Sequence, residues 1–545
     1  MVKNLLSLLT ARQTTILSGA SVIAVTVMIS KILGLIRDRL LAHTFAPDTV
    51  AIFFAAFRIP DLIFQILIFG ALSVAFIPVF TEIMEEKGKN EAFKLARAIL
   101  NLSLILLIFF TIFILIFIDP LTSLIVPGFS REQQIQTASL TRIILFGQII
   151  LTMGFFFIGV LQSFQRFVIP ALAGVFYNLG IILGILFLSK PLGILGPAVG
   201  VVIGAIMHVL LQLPLVWSLG FRPYLFIKMF HPGVKEIVQL MSVRTIGLAA
   251  EQINETVGVL LASIISTASV TYLTFAQHLQ VVPIGLFGAT IAQAALPILS
   301  SERARGRMDE FKATLLTTLH QILFLSLPAT AILIVLRVPA VRLVFGASQF
   351  DWEATVLTGK TLAFLSIALA AQAISLLLVR SFYALKDTRT PVIISLLVVV
   401  INISLGFYFV KIIKLDVWSL GLAYSIANLL SSTLLFFALD RKIGGFDKRK
   451  VFGPFFKMVM ATIIMGVALY VPVKLLDQVI FDTTRTINLV VLTFFASVFA
   501  LSIYVLLVWF MKVRELATYV RLIKRISNIQ PPIKSKEIIE QPTDV

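Results

Sequence analysis

The chain has 545 residues, of which 59% are hydrophobic and only 13% are charged. A soluble globular domain is about one-quarter charged, so this chain carries more apolar surface than a water-soluble fold can bury. Its mean hydropathy of +1.02 predicts an all-α polytopic membrane protein. The apolar runs extend for about 20 residues, which excludes a β-barrel of short alternating strands.

The formal net charge is +18, and the chain contains no cysteine. Because the basic residues are scattered between apolar runs, they are typical of cytoplasmic membrane loops, and we expect no nucleic-acid partner. The lack of cysteine excludes disulfides and thiolate metal sites. The sequence has no Walker-type phosphate loop, HExxH or GxSxG motif, so we expect a protein that is not an enzyme and has no resident cofactor.

The apolar runs predict fourteen membrane spans. They cover residues 18–43, 50–80, 92–118, 137–163, 168–189, 193–218, 236–265, 269–298, 313–337, 355–384, 390–412, 417–438, 454–474 and 486–511. Most Lys and Arg residues fall in the even-numbered loops and the two terminal segments. This bias predicts that both termini lie in the cytoplasm.

Two pairs of stretches in the sequence are similar, and both pairs are separated by nearly the same number of residues. GALSVAFIPVF at residues 70–80 is similar to GATIAQAALPILS at residues 288–300, and Ser163-Phe164 recurs as Ser381-Phe382. The shift corresponds to six spans, which predicts two lobes in the same orientation, related by a pseudo-twofold axis normal to the membrane. Carriers that work by alternating access have this architecture.

The repeat divides the chain into five segments. We expect a cytoplasmic segment at 1–17, an N-lobe at 18–220, a C-lobe at 221–440, an extra helix pair at 441–511 and a basic tail at 512–545. In the tail, Leu516, Val520, Ile523 and Ile526 follow one side of an amphipathic helix. That helix is predicted to lie on anionic lipid headgroups, although a solvated helix has the same pattern.

Charged residues inside the spans are costly and mark candidate sites. The substrate-binding candidates in the first two spans are Lys31, Arg37, Asp38, Arg39 and Arg58. Arginine suits a phosphate because its planar fork donates two parallel hydrogen bonds. Two alternatives are structural, because Lys31 and Asp38 share a helix face and Arg58 precedes Asp61 by one turn, so each pair could simply be neutralised. Arg37 is expected to have no matching carboxylate of its own, which favours a binding role for it.

A second cluster lies in the predicted C-lobe. His278 in the eighth span is a further substrate-binding candidate, next to Gln277. Oxygen ligands for a coupling cation, Na⁺ or H⁺, are offered by Glu251, Asn254, Glu255, Asn402 and Ser425. The alternative for this cluster is an Arg244–Glu251 pair that neutralises buried charge.

An ordered series of motifs resembles the bacterial lipid II flippase family called MurJ or MviN. The series includes SKILGLIRD at 30–38, FFAAFRIPD at 53–61, GALSVAFIP at 70–78, PGF at 127–129, QRFVIP at 165–170, LPILS at 296–300 and KDTRTPV at 386–392. The resemblance covers residues 15–515. It implies fourteen spans, a cationic central cavity for the diphosphate and sugar of lipid II, and a groove for the lipid tail at the last helix pair.

The family's charged positions are only partly kept. The two cavity arginines of the first span correspond to Lys31 and Arg37, whereas an acidic position corresponds to Ala51 and two further arginines to Phe64 and His278. The resemblance therefore implies a divergent lipid II flippase of the bacterial inner membrane that acts in peptidoglycan synthesis. We expect it to work as a monomer among membrane lipids, with the membrane potential assisting. The alternatives are a flippase for another polyprenyl-diphosphate saccharide, a cation-coupled drug antiporter and a non-transporting scaffold.

Overall fold

The computed structural model describes residues 16–69, 76–224, 231–479 and 486–527. Within these ranges the chain is helical and forms no strand beyond an isolated bridge between Ala347 and Phe350. The beginning of the GALSVAFIP motif and the side chain of Arg244 lie outside the described part, so the predicted Arg244–Glu251 pair is untested. The all-helical prediction is confirmed.

Eleven helices form the first half and the start of the second. They are α1 (Ile16–Thr44), α2 (Pro47–Ala56), α3 (Arg58–Phe64), α4 (Ile77–Glu86), α5 (Lys89–Ile116), α6 (Ile118–Ile125), α7 (Arg131–Ser163), α8 (Val168–Leu183), α9 (Ser189–Leu192), α10 (Leu195–Ser218) and α11 (Pro232–Ile265). Short π-helical segments extend α3 over Gln65–Phe69 and α8 over Gly184–Leu188.

Eleven more helices complete the described chain. They are α12 (Thr267–Pro283), α13 (Thr290–Ala304), α14 (Met308–Val335), α15 (Arg337–Phe345), α16 (Trp352–Ser366), α17 (Leu369–Ala384), α18 (Arg389–Phe407), α19 (Trp418–Lys442), α20 (Lys448–Val479), α21 (Thr486–Phe510) and α22 (Arg514–Ser527). A π-helical segment, Ile284–Ala289, joins α12 to α13, and another, Tyr408–Ile412, extends α18.

Each of the fourteen predicted spans overlaps a described helix. Twelve helices are long and apolar enough to cross a membrane, and the pair α16 and α17, bent by 43°, makes a thirteenth if it forms one broken span. The 29-residue helix α1 overlaps the remaining predicted span but is not among these thirteen. Breaks are tolerated where freed backbone groups find partners. Beside the π-helical break after Pro283, for example, the Arg380 side chain donates to the Ala289 carbonyl over 2.7 Å.

Glycines bring α8 and α10 into close contact. A Cβ atom placed on Gly180 would lie 2.2 Å from the Gly204 Cα atom, and one on Gly184 would lie 2.6 Å from the Gly200 Cα atom. Small residues at such crossings let helix backbones approach closely in a membrane, where packing replaces the hydrophobic driving force. This contact fixes α8, which carries Asn178 toward the candidate site.

Gly180→Ala should therefore destabilise the protein, because the new methyl group forces α8 and α10 apart. Overpacking of this kind costs about 1–3 kcal/mol, which we expect to see as a lower Tm of the detergent-purified protein. Gly453→Ala is the matched control, since no atom lies within 4 Å of a Cβ placed there, and its Tm should stay unchanged or rise. Equal Tm values for the two variants would contradict this packing account.

The two halves contact each other on the side of the molecule where α1 joins α2. There α2 packs along α12, and the Thr271 hydroxyl donates to the Pro47 carbonyl over 2.6 Å. The Thr267 hydroxyl also donates to the Gln133 side-chain oxygen over 3.0 Å. These contacts close that side of the molecule, and we call it the closed side.

The C-terminal helices pack against the second half. Helices α20 and α21 pack on each other, and α20 packs along α14. The predicted amphipathic tail helix is present as α22, but Leu516 and Tyr519 on its apolar side contact α14 and its neighbours, with the Tyr519 ring stacked on Phe324. At least the first part of this side therefore covers protein. The predicted lipid-tail groove stays a prediction.

The same contact buries the Glu515 carboxylate against His320 on α14, with the nearest atoms 3.3 Å apart. Burial alone would favour the neutral acid. The hydrogen bond with His320 and the nearby charges of His320 and Arg514 nevertheless hold the pKa of Glu515 below its ordinary value. The start of α22 is therefore fixed to α14 by a buried polar contact.

Candidate functional site

A cavity of about 620 Å³ lies between α1 and α3 on one side and helices of the second half on the other. Seven of the predicted site residues line it: Lys31, Arg58, Glu251, Asn254, Glu255, His278 and Asn402. Four others, Arg37, Asp38, Arg39 and Ser425, do not line it. The structure thus brings seven of the eleven predicted residues to one cavity, and their binding roles stay predictions.

Arg37, Asp38 and His278 form a cluster at the edge of the cavity, with Asp38 buried at its centre. The Asp38 side chain is 1% exposed, and its Oδ1 accepts from Arg37 Nε and Nη2 over 2.9 and 2.8 Å. Its Oδ2 lies 2.6 Å from His278 Nδ1. Arg37 also donates to Asn178 Oδ1 over 3.3 Å. The cluster thus joins α1 to α8 in the first half and to α12 in the second.

This cluster corrects two expectations about charge pairing. Asp38 pairs with its neighbour Arg37 and not with Lys31, although Lys31 and Asp38 share a helix face. Arg37 was expected to have no carboxylate of its own, and that was wrong. Its guanidinium is already neutralised, so its clearest role in this structure is to position Asp38 and His278 at the cavity wall.

Arg39 lies at the closed side. Its Nη1 donates to the carbonyl oxygens of Leu343 and Val344 over 2.7 and 3.2 Å. These carbonyls lie in the last turn of α15, where backbone acceptors lack partners within the helix. Arg39 therefore links α1 to the second half in this state and contacts no part of the cavity lining.

Arg58 and Asp61 also have partners other than the expected ones. Arg58 Nη1 donates to Glu255 Oε2 over 3.0 Å and so bridges α3 to α11. Asp61 Oδ1 accepts from Gln148 Nε2 over 3.0 Å. The alternative of an Arg58–Asp61 pair is wrong for this state, because the cation forms its ion pair with the other half of the molecule.

The predicted cation cluster is only partly assembled. Asn402 Nδ2 donates to Asn254 Oδ1 over 2.7 Å, and both residues line the cavity together with Glu251. The Ser425 hydroxyl instead donates to the carbonyl oxygens of Phe364 and Leu365, outside the cavity lining. The described residues include no group of three or more His, Cys, Asp or Glu that could hold a metal ion.

Lys31 differs from the other basic residues of the cavity wall. Arg58 pairs with Glu255 and His278 contacts Asp38, whereas Lys31 has no ion pair with any described residue. The wall thus presents three basic residues and the two carboxylates of Glu251 and Glu255. Within the described part, Lys31 supplies the positive charge that is free for an anionic ligand.

Two uncharged residues on α17 were missed in the sequence. Gln372 Nε2 and Ser375 Oγ are buried in the cavity wall without a hydrogen-bond partner among the described residues, and so is Arg58 Nε. Buried polar atoms without partners are costly, so they mark places where a polar ligand can bind. The three-residue spacing of Gln372 and Ser375 in an apolar helix was the signal that could have revealed them.

The helices and the cavity define a transporter fold. The structure superposes on "Lipid II flippase MurJ, inward closed conformation" with a TM-score of 0.73 and 24% identity, covering 88% of this chain and 98% of that one. An inward-facing multidrug resistance MATE family transporter of the MOP superfamily matches with a TM-score of 0.65, 16% identity and coverage of 76% and 94%. At these identities the two matches establish the fold alone.

The sequence comparisons define the family. A sequence profile described as lipid II flippase MurJ matches residues 41–485. The probable lipid II flippase MurJ of Vibrio cholerae is 30% identical over 407 residues, covering 72% of this chain and 77% of the relative. That of Rhizobium meliloti is 29% identical over 459 residues, covering 82% and 84%. The chain belongs to the MurJ family.

Proposed function

We propose that this protein flips lipid II, moving its diphosphate and sugar headgroup across the membrane through the cavity by alternating access. The single observation that carries this proposal within the family is the free ammonium group of Lys31 in a polar cavity between two packed halves. An intramembrane charge without a partner is expensive to keep, so a ligand that neutralises it is expected.

The cavity wall offers separate partners for the two parts of the headgroup. Lys31 and the unpartnered Nε of Arg58 can donate to diphosphate oxygens. Gln372 and Ser375 can form hydrogen bonds with sugar hydroxyls and amides. His278 is part of this wall, and Asp38 and Arg37 hold the His278 ring in place.

The Lys and Arg bias of the loops puts the closed side at the outer face of the inner membrane and both termini in the cytoplasm. In that orientation the two halves are in contact on the outer side of the membrane. The contacts of Arg39, Thr271 and Thr267 with the opposite half must then break before the headgroup can leave on the outer side.

A cytoplasm-negative membrane potential assists outward movement of an anionic headgroup. Each charge that crosses 100 mV gains about 2.3 kcal/mol, so a roughly dianionic diphosphate gains several kcal/mol. We propose that a cation, Na⁺ or H⁺, held near Glu251, Asn254 and Asn402 resets the empty carrier. One chain contains the whole cavity, so we propose that the protein acts as a monomer among membrane lipids.

The proposed cargo is tested by expressing the protein in a strain depleted of its own lipid II flippase and measuring lipid II in the outer leaflet directly. We expect growth and outer-leaflet lipid II to be restored by the wild type and by Lys87→Ala, which changes an exposed lysine outside the cavity. Normal membrane insertion without restored lipid II would contradict the proposal and favour another polyprenyl-diphosphate saccharide.

A further inference from the structure

Asp61 is a carboxylic acid on a membrane-spanning helix that has no counter-charge in contact with it. Its side chain is partly buried and accepts one hydrogen bond, from the neutral amide of Gln148. Among the described residues no basic side chain lies within 4 Å of it. A carboxylate so placed is costly, whereas the neutral acid is not.

The cation that could neutralise Asp61 lies one helical turn away and contacts the other half. Arg58 forms its ion pair with Glu255 on α11, and its buried Nε has no partner in the described part. A one-turn separation allows Arg58 to reach Asp61 when Glu255 moves away. The same guanidinium thus has two alternative carboxylate partners, one in each half.

Few titratable groups surround Asp61. Arg58 acts from the same helix and Glu255 from α11, and the phenol of Tyr177 on α8 is within electrostatic range. Helix α7 contributes the amide of Gln148, which carries no charge. Burial therefore favours the neutral acid, and Arg58 is the cation that can offset this when it moves toward Asp61.

We propose that Asp61 is a proton-binding site whose occupancy is linked to the Arg58–Glu255 bridge between the halves. Asp61 holds a proton while Arg58 pairs with Glu255. When the halves separate at the Arg58–Glu255 bridge, the Asp61 O–H bond breaks and the proton passes to water. The Asp61 carboxylate then forms an ion pair with Arg58. Glu255, which is 46% exposed here, is then hydrated.

This inference rests on the proposed function, because alternating access supplies the separation of the halves. It differs from the cation site near Glu251 in its helix and its residue. By linkage, raising the pH must favour the state without the bridge, because that state binds one proton fewer.

Spin labels can report the separation without any lipid substrate. The chain has no native cysteine, so Thr44→Cys and Ser348→Cys, both exposed near the closed side, place two labels specifically. Electron–electron distance measurements on the full-length protein in vesicles, from about pH 5.5 to 8.5, then give the ratio of short to long distances. We expect this ratio to fall about threefold or more in the otherwise wild-type protein.

Asp61→Asn mimics the protonated acid, so the short distance between the two spin labels should predominate across the whole pH range. Asp61→Glu and Asp48→Asn, which changes an exposed carboxylate, should keep the pH response. Glu255→Gln should lower the short-distance fraction throughout. An Asp61→Asn protein with the wild-type pH response would overturn the proposal. Lipid II transport measured separately keeps that failure distinct from a failure of the proposed function.

Discussion

Asp38→Asn is expected to produce the largest loss of stability of any single change at the site. Asp38 is 1% exposed and joins Arg37 to His278 through its two oxygens. The amide keeps an oxygen that can accept, but it removes the negative charge that neutralises the Arg37 guanidinium, which is only 18% exposed. Breaking a buried ion pair costs about 3–5 kcal/mol, because the other charge is left uncompensated.

The measurement is the Tm of the detergent-purified variant, together with rescue of the depleted strain. We expect a clearly lower Tm and no rescue, because α1 loses its link to α12. Asp309→Asn is the control, since its carboxylate is exposed and forms no ion pair among the described residues. A Tm equal to that of Asp309→Asn would show that the cluster contributes nothing to stability.

Lys31→Ala is expected to cause the largest loss of transport with the smallest loss of stability. The ammonium group lines the cavity and neutralises no described residue, so its removal leaves no charge unpaired. A charge-assisted hydrogen bond to a diphosphate contributes roughly 1.5–3 kcal/mol, which corresponds to about a tenfold to hundredfold weaker binding of lipid II.

Titration of purified protein with lipid II would measure this loss. Lys31→Arg should bind at least as tightly as the wild type, because the charge is kept and a bidentate donor is gained. Lys87→Ala should also bind normally, since that lysine is exposed in the loop before α5. An unchanged affinity in Lys31→Ala would mean that the cavity does not hold the diphosphate.

The spans were predictable because each requires about 20 apolar residues in a row, and such a run can be recognised directly in the sequence. The bend between α16 and α17 could not be predicted, because the residues at the break, Ile367 and Ala368, are neither glycine nor proline. The protein contacts of Leu516 and Tyr519 on α22 were also missed, because an amphipathic pattern fits protein and lipid surfaces equally well.

The pairing of charges could not be predicted from helix faces. Asp38 was considered as a partner of Lys31, and Arg37 was expected to have no carboxylate of its own, yet both Nε and Nη2 of Arg37 donate to Asp38 Oδ1. Arg58 pairs with a residue 197 positions away. A long, flexible arginine side chain can pair with any carboxylate within reach, so its partner depends on how the two halves pack.

The structure explains how the chain dispenses with the family charges implied at three positions. Ala51 is fully buried where α2 packs on α12, and Phe64 is buried with its ring 5.1 Å from that of Phe155. Apolar packing therefore fills both positions. His278 instead keeps a polar contact by binding Asp38. Among the described basic residues of the cavity wall, Lys31 is left without an acidic partner.

The proposed role of Lys31 is to bind the anionic lipid headgroup in the cavity while the two halves move it across the membrane. This role is tested most directly by reconstituting the purified protein into vesicles with fluorescent lipid II. Headgroup exposure to an external quencher is then followed under an imposed inside-negative potential. We predict rapid outward movement with the wild type and Lys87→Ala, and little above protein-free vesicles with Lys31→Ala. Equal rates for Lys31→Ala and the wild type, or no movement with folded wild-type protein, would contradict the claim.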